Sequence, residues 1–504
     1  MKLKELIRSL GSYEVYAAQE DFEVKGISAS SAHLADGYLF AAIKGVNEDG
    51  HRFIDDAIAK GARAVVIDSR QKEKGLQALG ASGRQDVWLI GTDQPRKSLG
   101  RLAAEFYGNP SRTIRMTGVT GTNGKTTITY LAEAIARKAG FTPGVIGTVD
   151  YRFKQERTPS KNTTPGPVDL QSLLARMLAQ GVTYCVMEVS SHALDQDRTE
   201  GILFNSAIFT NLTQDHLDYH RNLEEYFRAK CRLFAAMPAD ASAIVNNDDA
   251  YGRRIKALTP ARVTSYGIEN LSDVVATDIK FDVSHTTFFL RSFKGAQEFT
   301  VRLIGFHNVY NVLAAVSWGL VEGFDLEVIK SAVEAFLCVP GRLERIETTA
   351  DFAVFVDYAH TDDALRNVIK TLRYVSPKRI IVVFGCGGQR DATKRPKMGR
   401  VVTEYADYAV ITNDNPRSES PEGIIEDIKR GIKTDNYCVI PDRREAIRKA
   451  ISCARSGDIV LVAGKGHEDY QILNEGAIVF DDRQVVRECL RQMRIQDSPE
   501  KIDV

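Results

Sequence analysis

The chain has 504 residues, of which 43% are hydrophobic and 26% charged, the proportions of an ordinary globular protein with room for about three domains. Lys plus Arg and Asp plus Glu both number 66, so no net charge favours nucleic acid or an anionic membrane as a partner. The seven cysteines form no C-x-x-C pair, which predicts reduced thiols in the cytoplasm, and no apolar run has the length of a signal peptide core or a membrane span.

The first hundred residues alternate short apolar runs with one helical pattern and predict a small α/β domain, residues 1–107. Strands are expected at Tyr38–Ile43, Ala64–Ile67 and Val87–Ile90, with a helix at Phe53–Ala59. The polar loops of this domain either hold a ligand or are ordinary solvated loops, and they span residues 28–31 and 44–49.

A glycine-rich loop, T-G-T-N-G-K-T-T, opens the central domain after the break at Asn109-Pro110-Ser111. A strand pattern precedes the loop, and a helical pattern follows from Ile128 to a stop at Gly140. Backbone N–H groups of such a loop close around phosphate oxygens, with Lys125 reaching the β- and γ-phosphates and Thr126 binding Mg²⁺. Val119 occupies the first glycine position of the strict pattern, so this is a variant phosphate loop.

Two acidic clusters follow strands of the same predicted sheet. Glu188 ends the apolar run Tyr184–Val189, and Asp215, His216 and Asp218 follow the next strand. Both clusters suit a cation site, and the alternative is loop capping by Asp with a structural His. A helix at Glu225–Phe234 then carries Lys230 beside its apolar stripe, where its side chain could simply snorkel to solvent. A β pattern covers residues 270–304, and a helix is expected from about Asn311.

The last domain, from residue 339, has four strands that each end in a polar or glycine-rich loop. Alternating strands and helices predict a parallel sheet, so these loops gather at its carboxyl edge, where Arg could bind a carboxylate and Glu an ammonium. In chain order, the four loops are Asp357-Tyr358-Ala359-His360, Gly385–Asp391, Asn413–Arg417 and Gly464–Asp469.

The motifs together resemble the Mur ligases, in the family's order and from the first domain to the last. They include T-G-T-N-G-K-T-T, E-V-S-S-H, T-N-L-T-Q-D-H-L-D-Y-H, Y-F-R-A-K-C-R-L-F, V-P-G-R-L-E, V-D-Y-A-H, G-C-G-G-Q-R-D, D-N-P-R and A-G-K-G-H-E-D-Y-Q. The resemblance implies an α/β fold of three domains: a substrate-binding domain at 1–107, a P-loop NTPase-like parallel-sheet domain at 108–338 and a Rossmann-like domain at 339–504. It also implies an ATP-dependent amide ligase of peptidoglycan precursor synthesis that phosphorylates the D-Glu carboxylate of UDP-MurNAc-L-Ala-D-Glu.

The resemblance assigns the nucleotide and metal residues as follows. ATP is expected at Gly121, Thr122, Asn123, Gly124, Lys125, Thr126, Thr127, Asn308, Asn311, Arg342 and Asp357. Catalytic roles are expected for Lys125, Glu188, His216 and Lys230. Mg²⁺ is expected at Thr126, Glu188, His216 and Lys230, the last as its carbamate, N6-carboxylysine, a modification that overrides the snorkelling interpretation.

The resemblance also assigns two substrate sites. The muramyl nucleotide is expected at Ser28, Ser30, Val46, Asn47, Glu48, Asn162, Thr163, Thr164, Ser190, Gln196 and Arg198. The incoming amino acid is expected at Arg390, Asp414, Asn415, Pro416, Arg417, Gly464 and Glu468. Four positions depart from the family pattern: Ala29-Ser30-Ser31 replaces D-S-R near the uridine site and so lacks its acid and its arginine, His307 replaces Phe, and Asp362 replaces Pro.

The resemblance also implies meso-diaminopimelate as the amino acid, since D-N-P-R is the version of this motif that the family uses for that substrate. The physical reason is that Arg417 can bind the second carboxylate of diaminopimelate bidentately. L-lysine lacks this carboxylate. Two alternatives are the same ligation with L-lysine and a folylpolyglutamate synthase-like reaction. A P-loop switch is a further alternative, but the guanine-reading N-K-x-D motif is absent from the sequence. We expect a monomer that binds neither nucleic acid nor membrane.

Overall fold

The computed structural model describes residues 1–45, 48–215 and 219–497. The chain divides into two compact units, Met1–Val274 with Ala314–Ile329, and Val275–Leu313 with Lys330–Val504. No helix within the described ranges is both long enough and apolar enough to cross a bilayer.

The first unit begins with a five-stranded sheet flanked by helices. Its elements are α1 (Leu3–Leu6), β1 (Glu14–Ala17), β2 (Gly26–Ser28), β3 (Tyr38–Ala41), α2 (Ile54–Ala59), β4 (Ala62–Asp68), α3 (Lys72–Ser82), β5 (Trp88–Thr92) and α4 (Pro95–Phe106). The spatial order is β1-β5-β4-β3-β2, with β1 antiparallel to β5 and the other pairs parallel. Strands β3 to β5 are almost wholly buried, as expected for strands covered on both faces.

A second, larger sheet completes the first unit. Its elements are β6 (Arg115–Thr120), α5 (Lys125–Lys138), β7 (Pro143–Ile146), β8 (Asp150–Phe153), β9 (Glu156–Pro159), α6 (Pro167–Ala179), β10 (Tyr184–Glu188), α7 (Ser191–Asp195), β11 (Phe204–Phe209), α8 (Leu223–Ala235), β12 (Ser242–Asn246), α9 (Ala250–Ile255) and β13 (Arg262–Gly267). The strand order β13-β12-β11-β6-β10-β7 is parallel, and β8 and β9 continue it antiparallel. Strand β6 therefore lies between β10 and β11, so the loops after all three strands meet at one edge.

The rest of the chain builds the second unit, with α10 and α11 divided between the units. The elements are β14 (Val274–Phe281), β15 (Thr286–Ser292), β16 (Gly295–Val301), α10 (Phe306–Val321), α11 (Leu326–Glu334), β17 (Glu344–Ile346), β18 (Ala353–Asp357), α12 (Asp362–Arg373), β19 (Ile380–Phe384), α13 (Lys394–Tyr405), β20 (Tyr408–Ile411), α14 (Pro421–Lys429), β21 (Tyr437–Val439), α15 (Arg443–Cys453), β22 (Ile459–Ala463), β23 (Tyr470–Leu473), β24 (Gly476–Val479) and α16 (Asp482–Asp497). Its main sheet has the order β17-β18-β22-β19-β20-β21 and is parallel except for β17, while β23 and β24 form a separate hairpin.

The predicted α/β fold class is confirmed, with parallel sheets in both units. One predicted boundary is wrong: helix α10 begins at Phe306 rather than near Asn311, and its first turn follows Gly305, which has a φ of 97°. The glycine supplies a left-handed turn that starts the helix earlier than the apolar periodicity indicates. The bounds at residues 107 and 338 stay a prediction, because the two units follow a different division of the chain.

Candidate active site

The predicted phosphate loop joins the end of β6 to the start of α5. Gly121 has a φ of 147°, and a Cβ at this position would lie 1.8 Å from Thr210 Oγ1. Gly124 caps the helix with a φ of 89°. Side chains would strain both positions, so the glycines let the backbone follow the curve of the loop. The Thr122 N–H donates to the Asn211 carbonyl at 2.8 Å, which ties the loop to the segment after β11.

Two lysine side chains converge on one carbonyl of this loop. Lys125 Nζ donates to the Gly121 oxygen at 3.0 Å, and Lys230 Nζ donates to the same oxygen at 2.8 Å. Lys230 is fully buried on α8, and burial lowers the pKa of its ammonium well below the usual range, with Lys125 adding repulsion. The neutral amine is the form of lysine that reacts with CO₂, so the lowered pKa is compatible with the predicted carbamylation.

Glu188 ends β10 directly beside the phosphate loop, since its register partner on β6 is Val119. Its Oε1 accepts the Thr148 N–H at 2.9 Å, and its Oε2 accepts the Thr148 hydroxyl at 3.0 Å. Gly147 lets this loop approach, because a Cβ there would lie 2.5 Å from Glu188 Oε1. Glu188 is only 1% exposed, and the hydrogen bonds from Thr148 hold its carboxylate in a defined orientation.

The oxygen donors at this edge fit Mg²⁺. Among residues 1–45, 48–215 and 219–497, no group of three or more His, Cys, Asp or Glu could hold a metal by itself. A magnesium ion commonly has one or two protein carboxylates and completes its shell with phosphates and water, which suits Thr126 and Glu188 beside a phosphate loop. His216 and Asp218 lie outside the described residues.

The predicted muramyl-nucleotide residues of the central sheet form one hydrogen-bonded row. Thr164 Oγ1 donates to the Glu188 carbonyl at 2.9 Å and accepts the Ser190 N–H at 3.1 Å. Arg198 donates to the Thr164 carbonyl at 3.0 Å and to Gln196 Oε1 at 2.8 Å. Thr163 also joins this region, through a 3.1 Å hydroxyl contact with Thr148, while the Asn162 carbonyl accepts the Tyr151 hydroxyl at 2.5 Å.

The first sheet carries the other predicted muramyl-nucleotide residues. Ser28 Oγ donates to the Ser30 carbonyl at 2.9 Å, which closes a local turn after β2. Glu48 is exposed, and Val46 and Asn47 lie outside the described residues. A cavity of about 440 Å³ opens nearby, and periodicity did not single out its charged lining. Four basic residues, Lys44, Arg70, Arg96 and Lys97, and two acidic ones, Asp68 and Asp197, line it.

The second unit carries the remaining predicted nucleotide residues. Asn311 Nδ2 donates to Asn308 Oδ1 at 3.0 Å, and Asn308 Nδ2 donates to the Ile304 carbonyl at 2.9 Å. Asp357, at the end of β18, accepts the Leu343 N–H at 2.6 Å, and burial raises the pKa of this carboxyl while Arg342 opposes the shift. A direct hydrogen bond therefore joins Asn308 and Asn311, and the charge of the half-buried Arg342 acts on the buried Asp357.

The amino-acid loops meet at the carboxyl edge of the second unit's main sheet. The Arg417 backbone is left-handed, with a φ of 57°, and its Nη1 donates to the Gly388 carbonyl at 2.8 Å and to the Asn415 carbonyl at 3.4 Å. A Cβ on Gly388 would lie 1.9 Å from the Pro416 oxygen, so only glycine lets these two loops touch. Arg390 is exposed on the first of them.

Acidic and basic groups surround Tyr470 in the same region. Burial raises the pKa of the Tyr470 hydroxyl. The charges of Glu468 and Asp414 raise this pKa further, and the charge of Arg417 lowers it. Gly464 has a φ of 117°, and a Cβ on it would lie 2.6 Å from Asp414 Oδ2. Arg417, Asp414, Gly464 and Glu468 therefore share one neighbourhood.

Two buried arginines that sequence reasoning missed hold these loops in place. Arg443 is paired with Asp482 at 2.6 Å with both side chains fully buried, and it donates to the carbonyls of Asn413 and Ala463. Arg395 pairs with Glu419 at 2.8 Å and with Asp427 at 3.0 Å. Both lie on helices among other charged residues, so no local pattern marks them as buried.

Family models match most of the chain. The "Mur ligase family, catalytic domain" model matches residues 23–107, the "Mur ligase middle domain" model matches 119–319, and the "Mur ligase, glutamate ligase domain" model matches 341–466.

Full-length relatives agree with these models. A Syntrophomonas wolfei protein named UDP-N-acetylmuramoyl-L-alanyl-D-glutamate–2,6-diaminopimelate ligase is 43% identical, over 97% of this chain and 99% of its own length. A Trichormus variabilis protein with the same name is 44% identical, over 98% and 99%. A solved structure with that name aligns at 33% identity with a TM-score of 0.68, over 93% of this chain and 95% of its own. The chain belongs to the Mur ligase family.

Proposed function

We propose that the protein joins meso-diaminopimelate to the D-Glu carboxylate of UDP-MurNAc-L-Ala-D-Glu, with conversion of ATP to ADP and phosphate. The observation that carries the proposal is the full-length likeness to relatives named as diaminopimelate ligases. The geometry supplies a physical reason, since Arg417 is fixed beside Gly388 in the neighbourhood of Asp414 and Glu468. A second carboxylate and an ammonium at the far end of the amino acid match this set of charges.

The reaction needs an activated carboxylate, because a carboxylate anion is a poor electrophile. One oxygen of the D-Glu carboxylate attacks the γ-phosphorus of ATP, ADP leaves, and an acyl phosphate forms. The unprotonated amine of diaminopimelate then attacks the acyl carbon, the new C–N bond replaces the C–O bond to phosphate, and inorganic phosphate leaves. The amine loses one proton in this step, so the products are an amide, ADP and phosphate.

We assign the phosphate-handling role to the loop 121–127 and to the two lysines that converge on Gly121. Lys125 offsets charge on the β- and γ-phosphates, and backbone N–H groups of the loop hold their oxygens. Thr126, Glu188, His216 and a carbamylated Lys230 would hold Mg²⁺, which when bound neutralises the charge that develops on the transferring phosphoryl group. Asn308, Asn311, Arg342 and Asp357 are assigned to the nucleoside side of ATP.

We assign the muramyl-nucleotide path to the hydrogen-bonded row Thr163, Thr164, Ser190, Gln196 and Arg198, together with Asn162. The first sheet completes this path with Ser28, Ser30 and the loop 46–48. We further propose a monomer of three domains, 1–107, 108–338 and 339–504, that acts in the cytoplasm, a location that suits the seven free thiols.

A ligation assay tests the proposal. The protein is supplied with ATP, Mg²⁺ and UDP-MurNAc-L-Ala-D-Glu and with either meso-diaminopimelate or L-lysine, and phosphate release and product mass are measured. We expect one phosphate per amide with diaminopimelate and little reaction with lysine. If no phosphate is released with either amino acid, the ligase proposal is wrong. A preference for lysine would contradict the role proposed for Arg417.

A further inference from the structure

A buried cation lies among the amino-acid loops at Lys465. Its side chain is fully buried, and its Nζ donates to Asn415 Oδ1 at 3.1 Å and to Glu468 Oε2 at 3.1 Å. The ammonium also lies 5.5 Å from the centre of the Tyr470 ring. A charged group in such a place is costly to bury unless it is paired and hydrogen-bonded, as Lys465 is here.

The Asn415 side chain completes this arrangement with three hydrogen bonds. Its Oδ1 accepts Lys465 Nζ and, at 2.9 Å, the Ile472 N–H, while its Nδ2 donates to Glu468 Oε2 at 3.0 Å. Both donors to Glu468 end on the same oxygen, Oε2. Its other oxygen, Oε1, has no hydrogen-bond partner among the described residues, so Oε1 is the atom left for an ammonium of the bound amino acid.

The charge of Lys465 also matters to the pocket. Asp414 and Glu468 both act on Tyr470, so two carboxylates share this neighbourhood. A pocket with two uncompensated carboxylates would attract any ammonium and repel a carboxylate. Lys465 offsets one of these charges at a distance of 3.1 Å, without reaching solvent.

We propose that Lys465 is a positioning residue that sets amino-acid selectivity: it orients Glu468 and offsets its charge, so that the pocket favours a far end with both an ammonium and a carboxylate over an ammonium alone. This inference rests on the proposed function of the same site. Lys465 does not touch the reacting atoms in this account. It acts through Glu468.

Competition between amino acids tests this role directly. Wild-type protein and the Lys465→Met and Lys465→Gln variants are given ATP, Mg²⁺, UDP-MurNAc-L-Ala-D-Glu and a mixture of meso-diaminopimelate with excess L-lysine, and the two products are quantified by mass spectrometry. The product ratio does not depend on how much of a variant is folded. We expect the preference for diaminopimelate to fall about tenfold in both variants, the size expected when one partly screened positive charge near the second carboxylate of diaminopimelate is lost.

Two further variants separate selectivity from simple damage. Lys429→Met removes a lysine with the same three-residue spacing to a glutamate, Glu426, but at an exposed site, and it should leave the ratio unchanged. In a Glu468→Gln background, Lys465→Met should lower the ratio no further, because the charge that it offsets is gone.

The outcomes distinguish the two proposals. Wild-type protein that forms neither product contradicts the proposed function itself. The selectivity role is wrong if wild-type protein ligates diaminopimelate and the Lys465 variants keep the wild-type product ratio. It is also wrong if Lys465→Met lowers the product ratio as much in the Glu468→Gln background as in the wild-type background. Lys465 variants that form neither product would indicate a structural role and would also overturn the inference.

Discussion

Replacement of Arg417 by alanine should weaken binding of diaminopimelate more than it slows the chemical step. The guanidinium is held by Nη1 contacts to the carbonyls of Gly388 and Asn415, so its remaining N–H groups are already oriented for a carboxylate. A hydrogen bond to a charged group contributes about 1.5–3 kcal/mol, which corresponds to an increase of about 10- to 150-fold in KM. We choose alanine rather than glycine as the replacement, because glycine would increase the conformational freedom of the left-handed backbone at residue 417.

The assay is steady-state phosphate release against diaminopimelate concentration, at saturating ATP and UDP-MurNAc-L-Ala-D-Glu. Arg417→Lys keeps the charge but loses the planar fork, so it should recover only part of the affinity. Arg430→Ala is the matched control, because Arg430 is 76% exposed and pairs with Asp427 on the surface of the same unit. A KM for diaminopimelate within about twofold of wild type in Arg417→Ala would refute the reasoning, since such a change is well below the loss of one charged hydrogen bond.

Three further substitutions probe other parts of the account. Lys230→Ala should abolish ligation, with partial rescue by added short-chain carboxylates that replace the carbamate, and full activity without rescue would contradict the carbamate. Gly388→Ala should raise the KM for diaminopimelate but not for ATP, because its Cβ would lie 1.9 Å from the Pro416 oxygen; an unchanged KM for diaminopimelate would show that the loop contact is dispensable. Arg443→Met should cost about 3–5 kcal/mol and lower Tm by leaving Asp482 buried and unpaired. Arg448→Met, on the same helix, breaks an exposed pair with Glu445 and should cost at most about 1 kcal/mol, and equal effects would contradict the burial argument.

Local patterns in the sequence predicted the elements that carry the site. Strands β19 and β22 end at Phe384 and Ala463, directly before the predicted loops 385–391 and 464–469, because buried parallel strands are short apolar runs with polar loops at their ends. The phosphate loop followed from its glycines, and the position of Glu188 beside it followed from the meeting of parallel strand ends at one edge. Periodicity also captured the helix that carries Lys230, although not the burial of its amine.

Long-range pairings could not be predicted in this way. Lys230 meets the Gly121 carbonyl across 109 residues of sequence, and Lys465 meets Asn415 across 50. A lysine beside an apolar stripe usually places its ammonium in solvent, so burial of this one depends on where the phosphate loop lies in space. The pairing of Arg443 with Asp482 likewise depends on the packing of α15 against the start of α16, which no local pattern encodes.

In the acyl-phosphate route, the substrate's carboxylate is phosphorylated before the amide forms. UDP-MurNAc-L-Ala-D-Glu labelled with ¹⁸O in both oxygens of the D-Glu side-chain carboxylate would be converted with unlabelled ATP and diaminopimelate, and the released phosphate analysed by mass spectrometry. We expect one ¹⁸O atom in each inorganic phosphate, and we expect labelled phosphate and amide product in equal amounts. Phosphate without label would mean that water attacks ATP directly, and it would contradict the acyl-phosphate route.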